Sequence, residues 1–300
     1  MASGLGKATA LWRGLRLSAL AATSLLLGGC SGTAVLNALT PESGYQRHVG
    51  LDYGAHERQR LDLYVPEGAA DAPVVVFFYG GRWQEGERAD YRFAAQALAS
   101  RGYVVAVPDY RLYPEVRFPA FVEDAAAAVA WIHARAADYG GDPGRLVLAG
   151  HSAGAHIAAL LALDPQYLES AGPGRGVVRA FIGLAGPYDF LPLRAEDLKI
   201  IFGPSAERPR SQPINHVDPQ APPMLLLHGR DDRLVEPGNS RRLAQAVTEA
   251  GGSARLRLFD NRGHVSLVAS LARPLRFHTP VLEAMGRFID GLEAPERERL

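Results

Sequence analysis

The sequence predicts one α/β domain, built on a mostly parallel sheet that is buried on both faces and covered by helices. Three observations predict it. Continuously apolar, β-branched stretches recur at 73–79 (PVVVFFY), 103–107 (YVVAV) and 145–149 (RLVLA), and such runs belong to strands covered on both sides. Stretches with helical composition alternate with them, which is the order of a parallel sheet with crossover helices. The 300 residues are enough for one large core, and no internal repeat or second domain interrupts them.

The elements follow in order. Residues 31–44, small and polar with Pro41, read as a tether, and alternation of strands and helices begins near Gln46. The segment LDLYV at 61–65 alternates at period two, as a half-buried antiparallel strand does. Pro119 opens an alanine-rich helix that runs through Trp131 and is stopped by Gly140-Gly141. Further strands are predicted at 178–184, 224–227 and 254–258, with helices near 241–250 and 281–292. The expected organisation is a signal segment over 1–29, a tether over 30–44 and a single domain over 45–296.

Charge excludes some partners. Lys and Arg total 32 against 32 Asp and Glu, so neither nucleic acid nor a strongly charged partner is expected. The Gly172-Pro173-Gly174-Arg175-Gly176 run precedes a strand instead of following one, unlike a phosphate-binding loop. No His, Cys and Asp residues stand at metal-ligand spacing, so neither metal nor cofactor is expected.

The N-terminus carries Lys7, Arg13 and Arg16 before an apolar run at 17–27. That run is shorter than the roughly 20 residues needed to span a bilayer, and it fits the core of a signal peptide. Leu27-Gly28-Gly29-Cys30 resembles the bacterial lipobox, where cleavage precedes a cysteine that receives lipid. Cys30 is the only cysteine and can form no internal disulfide. The expectation is an exported protein held to the bacterial cell envelope by lipid on Cys30, against the plainer alternative of a secretory signal. Ser31 after the cysteine points, by resemblance to enterobacterial lipoproteins, to the outer membrane.

Chemistry concentrates at 145–163 (RLVLAGHSAGAHIAALLAL). Gly150-His151-Ser152-Ala153-Gly154 matches G-x-S-x-G between a buried strand and an alanine-rich helix, the setting that puts a serine on a sharp, exposed turn. Small flanking residues let the backbone bend there, and the helix N-terminus aims N–H donors at developing negative charge. A serine hydroxyl needs a base to take its proton and an acid to hold that base in one tautomer. Downstream, the strand at 224–227 leads into His228-Gly229-Arg230-Asp231-Asp232, and both aspartates qualify by position. Asp189, after the preceding strand, is a further alternative. His264 lies on a glycine-containing loop beyond the strand at 254–258, which lets it swing towards the serine. Gly80 and Gly81 directly follow the strand at 73–79, so their backbone N–H groups, with that of Ala153, are expected to form an oxyanion hole.

The segments YGGRW, PDYRLYPE, GDPGRLVLAGHSAGAH and HGRDDRLV, with Gly263-His264, resemble the α/β-hydrolase superfamily over roughly residues 45 to 295. Within it they resemble the esterase branch of hormone-sensitive-lipase-like and feruloyl-esterase-like enzymes, related to kynurenine formamidases. The resemblance implies the α/β-hydrolase fold, with about eight strands, and hydrolysis through an acyl-enzyme intermediate without a cofactor. It selects Asp232 by the HGxxD spacing, giving Ser152, Asp232 and His264 as the triad. Small or aryl carboxylic esters are the expected substrates. An amidase activity on the same triad, or a non-catalytic binding lipoprotein, are the alternatives. Two departures stand out: the usual His-Gly-Gly begins here with Tyr79, and its third small residue is Arg82. Residues 186–222 are long for a loop and read either as a lid or acyl-pocket wall, or as a covering helix.

Overall fold

The computed structural model describes residues 32–292. Its eight strands are β1 (Tyr45–Asp52), β2 (Arg60–Pro66), β3 (Ala72–Phe78), β4 (Val104–Pro108), β5 (Gly141–His151), β6 (Val178–Leu184), β7 (Met224–Gly229) and β8 (Ala254–Phe259). They form one sheet in the order β1-β2-β4-β3-β5-β6-β7-β8. Strand β2 is antiparallel to β1 and to β4, and every pair from β4 to β8 is parallel. The seven strands expected from sequence are present, and β1 adds an eighth at the edge.

Burial follows the apolar pattern. In β3, Val74, Val75, Val76, Phe77 and Phe78 are fully buried, as are Leu146 and Leu148 of β5. Each such side chain stabilises the fold by about 1.5–3 kcal/mol. The alanine-rich segments at 120–135 and 153–163 form helices α3 (Ala120–Arg135) and α4 (Ala153–Leu163). Pro119 caps the start of helix α3, where the sequence opened it, and the helix runs four residues beyond Trp131. A short turn at Ala136–Tyr139 follows it, ending at left-handed Gly140 (φ 73°), where a Cβ would lie 2.3 Å from the Ala69 carbonyl oxygen. Helix α4 packs on β5 and β6, and α3 packs on α4. Helix α2 (Arg92–Ala99) covers β4 and β2.

Parallel register brings the functional loops together. Phe78 pairs with Gly150, His151 with Leu184, and Gly229 with Phe259. The residues that follow β3, β5, β7 and β8 therefore leave the sheet at one edge, where open α/β sheets hold their ligands.

A buried charge network fastens the turn Arg88–Tyr91 to the antiparallel end of this sheet. Asp62 of β2 is fully buried and accepts from Arg47 Nη2 (2.6 Å), Arg88 Nε (2.8 Å) and the Gly50 amide (2.9 Å). Asp109 accepts from the Arg88 amide (2.6 Å) and from its guanidinium. Carboxylates this buried persist only when charged donors surround them.

The N-terminal segment departs from the expected tether. Residues Gly32–Ala38 form a helix, α1, that docks on the same turn. Asn37 donates to the carbonyls of Ala89 (2.8 Å) and Asp90 (3.2 Å) and accepts from the Phe93 amide (3.1 Å). Thr33 reaches Asp90 (3.2 Å), and Arg92 reaches the Thr40 carbonyl (3.0 Å). Small polar residues look like linker by composition, but here their short side chains reach the backbone of a neighbouring turn. Cys30 and the expected signal segment lie outside the described residues. Asn37→Ala should destabilise the protein by about 1–2 kcal/mol, and a chain starting at residue 45 should lose more. Thermal and denaturant melts of the two variants check this; a truncated chain with the full-length midpoint would make α1 a passive linker.

Candidate active site

Ser152 occupies the junction between β5 and α4 with φ 55° and ψ −123°, a strained backbone for a non-glycine residue. The sequence makes that turn possible with glycine on both sides. A Cβ on Gly150 would lie 2.5 Å from the Gly154 carbonyl carbon, and one on Gly154 would lie 2.1 Å from the Phe78 oxygen. Side chains at either position would push β5, α4 and β3 apart.

The serine, histidine and one aspartate meet in a hydrogen-bonded chain. His264 Nε2 lies 2.8 Å from Ser152 Oγ, and its Nδ1 lies 2.8 Å from Asp232 Oδ2. An ionised carboxylate can only accept, so Nδ1 carries the ring hydrogen and Nε2 is free to accept from the serine. Asp232 Oδ1 accepts from the amides of Leu234 and Val235, each at 2.9 Å, and Oδ2 also lies 3.2 Å from His228 Nε2. Burial opposes ionisation of Asp232, but the bonds from His228, His264 and Val235 outweigh it and hold the carboxyl well below the usual carboxylate range.

The competing acids lie elsewhere. Asp231 is exposed, and its amide donates to the Arg262 carbonyl (3.0 Å). Asp189 pairs with Arg242.

The oxyanion residues need one correction. Gly80, expected to donate, has its amide turned to the Tyr91 hydroxyl at 3.3 Å. Its requirement for glycine is steric, since a Cβ would lie 2.9 Å from the Ser152 Cβ. The amides of Gly81, Arg82 and Ala153 have no acceptor among the described residues. The next position therefore enters: Arg82, whose side chain made it an unpromising candidate, offers its backbone. Arg82 and Trp83 both have positive φ, 52° and 62°, and their strain is held from outside. Arg82 Nη2 (2.5 Å) and Gln84 Nε2 (2.8 Å) both donate to Asp197 Oδ2, and those two bonds lower its carboxyl pKa. Trp83 is buried among Phe190, Phe202 and His156. Tyr79, in place of the usual histidine, stacks on Tyr110 (4.7 Å) and its hydroxyl accepts from Arg58 (2.7 Å).

A cavity of about 420 Å³ opens beside Ser152 and Ala153. One wall comes from the long segment after β6, through Pro187, Phe190, Leu191, Leu193 and Leu198. The short helix α6 (Glu196–Ile201), preceded in the chain by α5 (Pro165–Ala171), belongs to this wall. Of residues 186–222, those between Pro187 and Leu198 supply the pocket wall, and short helical turns cover Glu196–Ile201, Arg208–Ser211 and Pro213–His216. Among the described residues, no group of three His, Cys, Asp or Glu side chains is placed to hold a metal.

Sequence reasoning missed Tyr91, His228 and Asp197. His228 lies in β7 directly after the apolar run at 224–227, where a buried histidine needs a partner, and that run was the available signal. Nothing local marks Tyr91 or Asp197, whose contacts lie far off in the chain.

The BD-FAE family profile matches residues 61–247. A probable isoprenylcysteine alpha-carbonyl methylesterase of Arabidopsis thaliana is 33% identical over 75% of this chain and 52% of its own. Esterase LipC of Mycobacterium tuberculosis is 32% identical over 65% of this chain and 53% of its own. The chain thus spans about half the length of the curated relatives it matches. Among solved structures, Thermogutta terrifontis esterase 2, described with butyrate bound, is 28% identical with a TM-score of 0.68, covering 85% of this chain and 98% of that one. The same esterase phosphorylated by paraoxon superposes equally well, at TM-score 0.68. With the profile spanning more than half of it, the chain belongs to the BD-FAE family of α/β-hydrolase esterases.

Proposed function

We propose that this protein hydrolyses carboxylic esters of small acyl or aryl groups through an acyl-enzyme on Ser152. The observation that carries the proposal is the unbroken chain from Ser152 Oγ through His264 to Asp232, standing beside a cavity lined by both apolar and charged side chains. Ser152 Oγ attacks the ester carbonyl carbon as its proton passes to His264 Nε2. The carbonyl electron pair moves to oxygen, where the amides of Gly81, Arg82 and Ala153 receive it; each such donor is worth about 10²–10³ in turnover. The pair returns, the alkoxy C–O bond breaks, and His264 delivers its proton to the departing alkoxide. Water repeats the sequence on the acyl-serine, with His264 again as base, and frees the acid and Ser152. Asp232, ionised throughout, holds His264 in the competent tautomer.

The cavity supports the substrate class. About 420 Å³ lies within the range of small-molecule sites, and the related Thermogutta terrifontis esterase is described with butyrate bound. Acetyl, propionyl and butyryl p-nitrophenyl esters should turn over well, with the palmitoyl ester far behind. The reverse order would overturn the small-acyl reading.

Substitutions test each role. Ser152→Ala should lower turnover by about 10⁴–10⁶ and abolish labelling by a fluorophosphonate probe. Labelling that persists would remove Ser152 as nucleophile. Asp232→Asn should cost about 10⁴ in kcat, while Asp231→Asn leaves kcat near wild type; reversed losses would exchange the two. Asp197→Ala releases Arg82 and Gln84 together, and kcat should fall about tenfold through displaced oxyanion donors. A change confined to KM would limit Asp197 to the pocket.

We further infer that Cys30 carries lipid and holds the enzyme at the cell envelope. The lipobox-like Leu27-Gly28-Gly29-Cys30 and the absence of any second cysteine support this reading. Since Cys30 stands two residues before α1, the catalytic domain would sit close against the membrane. A palmitate analogue should tag the wild type and not Cys30→Ser; an untagged, wholly soluble wild type would leave an ordinary secretory signal.

A further inference from the structure

Two polar side chains beside the site take no part in the mechanism above, yet they join its two halves. Tyr91, 8% exposed, ends the Arg88–Tyr91 turn. Its hydroxyl accepts from the Gly80 amide (3.3 Å) and lies 2.9 Å from His151 Nδ1. His151, 4% exposed, immediately precedes Ser152, and its Nε2 lies 3.3 Å from the carbonyl oxygen of His264.

The hydrogens on this chain are fixed by elimination. An amide can only donate, so the Tyr91 oxygen accepts from Gly80 and spends its single hydrogen on His151 Nδ1. A carbonyl can only accept, so His151 Nε2 carries the ring hydrogen and donates to His264. One neutral tautomer of His151 satisfies both ends.

We propose that Tyr91 and His151 are positioning residues, forming a relay that sets the spacing between the oxyanion loop at Gly80 and the backbone of His264. The proposal rests on the hydrolase reading above. The relay starts one residue before the Gly81 donor and ends on the main chain of the base, so it spans both groups that act on the tetrahedral intermediate. The two histidine rings lie 4.8 Å apart. Burial, together with the neighbouring His264, pushes His151 down to about 3. It therefore stays uncharged while His264 takes and returns its proton, and neither competes for that proton nor repels the imidazolium. The same turn receives α1 and the buried pair Asp62 and Asp109, which fix Tyr91 from behind. A group tied this firmly on its outer side transmits position inward.

Tyr91→Phe tests the relay directly. It keeps the ring contacts to Phe77 and Phe93 and removes only the hydroxyl. On a short-chain p-nitrophenyl ester, kcat should fall about 10- to 100-fold with KM within about twofold, as small misplacements of reacting groups do. The rate of fluorophosphonate labelling should fall in parallel. His151→Phe should give a loss of the same order, and the double variant no more than either single one, because both break one chain. Tyr103→Phe is the control, since it removes a buried tyrosine's 2.6 Å bond to Asp290 away from the site. It should lower the melting temperature and leave kcat unchanged. If Tyr91→Phe fails to accumulate as folded protein, His151→Phe, which offers no acceptor to the Tyr91 hydroxyl, gives the same reading from the other side of the bond.

A folded Tyr91→Phe enzyme with kcat within about twofold of wild type would sink the relay, as would losses that multiply in the double variant. So would a loss that only tracks melting temperature, as in the control. The two proposals separate cleanly. Continued labelling of Ser152→Ala removes the hydrolase reading whatever Tyr91 does, whereas a silent Ser152→Ala beside a normal Tyr91→Phe removes the relay alone.

Discussion

The close approach of three backbones at Ser152 is the constraint on which the rest depends. Strand β5 must turn into α4 within one residue, while α4 leans directly on the end of β3. Ser152 absorbs the turn in a backbone conformation that costs about 1–3 kcal/mol. The surroundings hold it there: its amide donates to the Leu184 carbonyl (2.9 Å), and its carbonyl accepts from the His156 amide (3.1 Å). Gly150 and Gly154 are required by contact and not by flexibility, since both face backbone atoms that cannot move aside. Once this junction is set, α4's free N-terminal amides, the end of β3 and the serine hydroxyl share one small volume. Everything else arrives from the parallel neighbours at the same sheet edge.

Charge in that volume is tightly rationed. Asp232 is the buried carboxylate, and it is saturated by the amides of Leu234 and Val235 and by two histidines. His228 holds Asp232 on one side while its other nitrogen meets Ser240 (2.7 Å). His151 and His156 are pushed down to about 3 and about 4 by burial, and both remain neutral. Four histidines thus gather at this edge, but only His264 touches both a carboxylate and the serine. In a low-dielectric setting a second cation would disfavour the imidazolium that the proposed mechanism requires on His264. Neutral partners avoid that loss while still fixing ring orientation.

Periodicity and chain order made much of this legible. The apolar runs at 73–79 and 145–149 became the fully buried centre of the sheet, and the sequence between strand and helix at 150–154 became the strained turn. Asp232 over Asp231 was legible only through the HGxxD spacing, because adjacent loop aspartates look alike until one of them turns inward. The rest depends on distance in the chain. Tyr91 meets His151 across 60 residues and Asp197 meets Arg82 across 115, and no local pattern encodes such a pair. Gly80 was misassigned for a related reason. Glycine marks a place where a side chain cannot fit, and that place need not be the one whose amide is free. Composition misled at 32–38 as well, where the residues of a flexible linker are also those of a small helix that caps another turn.

The pocket wall and the oxyanion loop are mechanically one unit, and this bears on how selectivity arises. Asp197 precedes the wall residue Leu198 on α6, and its carboxylate holds Arg82 and Gln84 of the loop. Phe190 and Phe202 also belong to the long segment after β6, yet they pack on Trp83 of the loop. Arg82 and Trp83 sit at positive φ, so the loop's shape is not its own minimum and relies on those contacts. A substrate that seats well against the wall therefore reinforces the arrangement that presents the Gly81 and Arg82 amides. One that seats poorly leaves the loop freer to relax. Binding energy from parts of the substrate remote from the reacting carbonyl is in this way expressed in the transition state, where it raises kcat. If the site hydrolyses esters as proposed, the wall would discriminate between acyl groups through turnover as much as through affinity, because Phe190 both lines the cavity and packs on Trp83 of the loop.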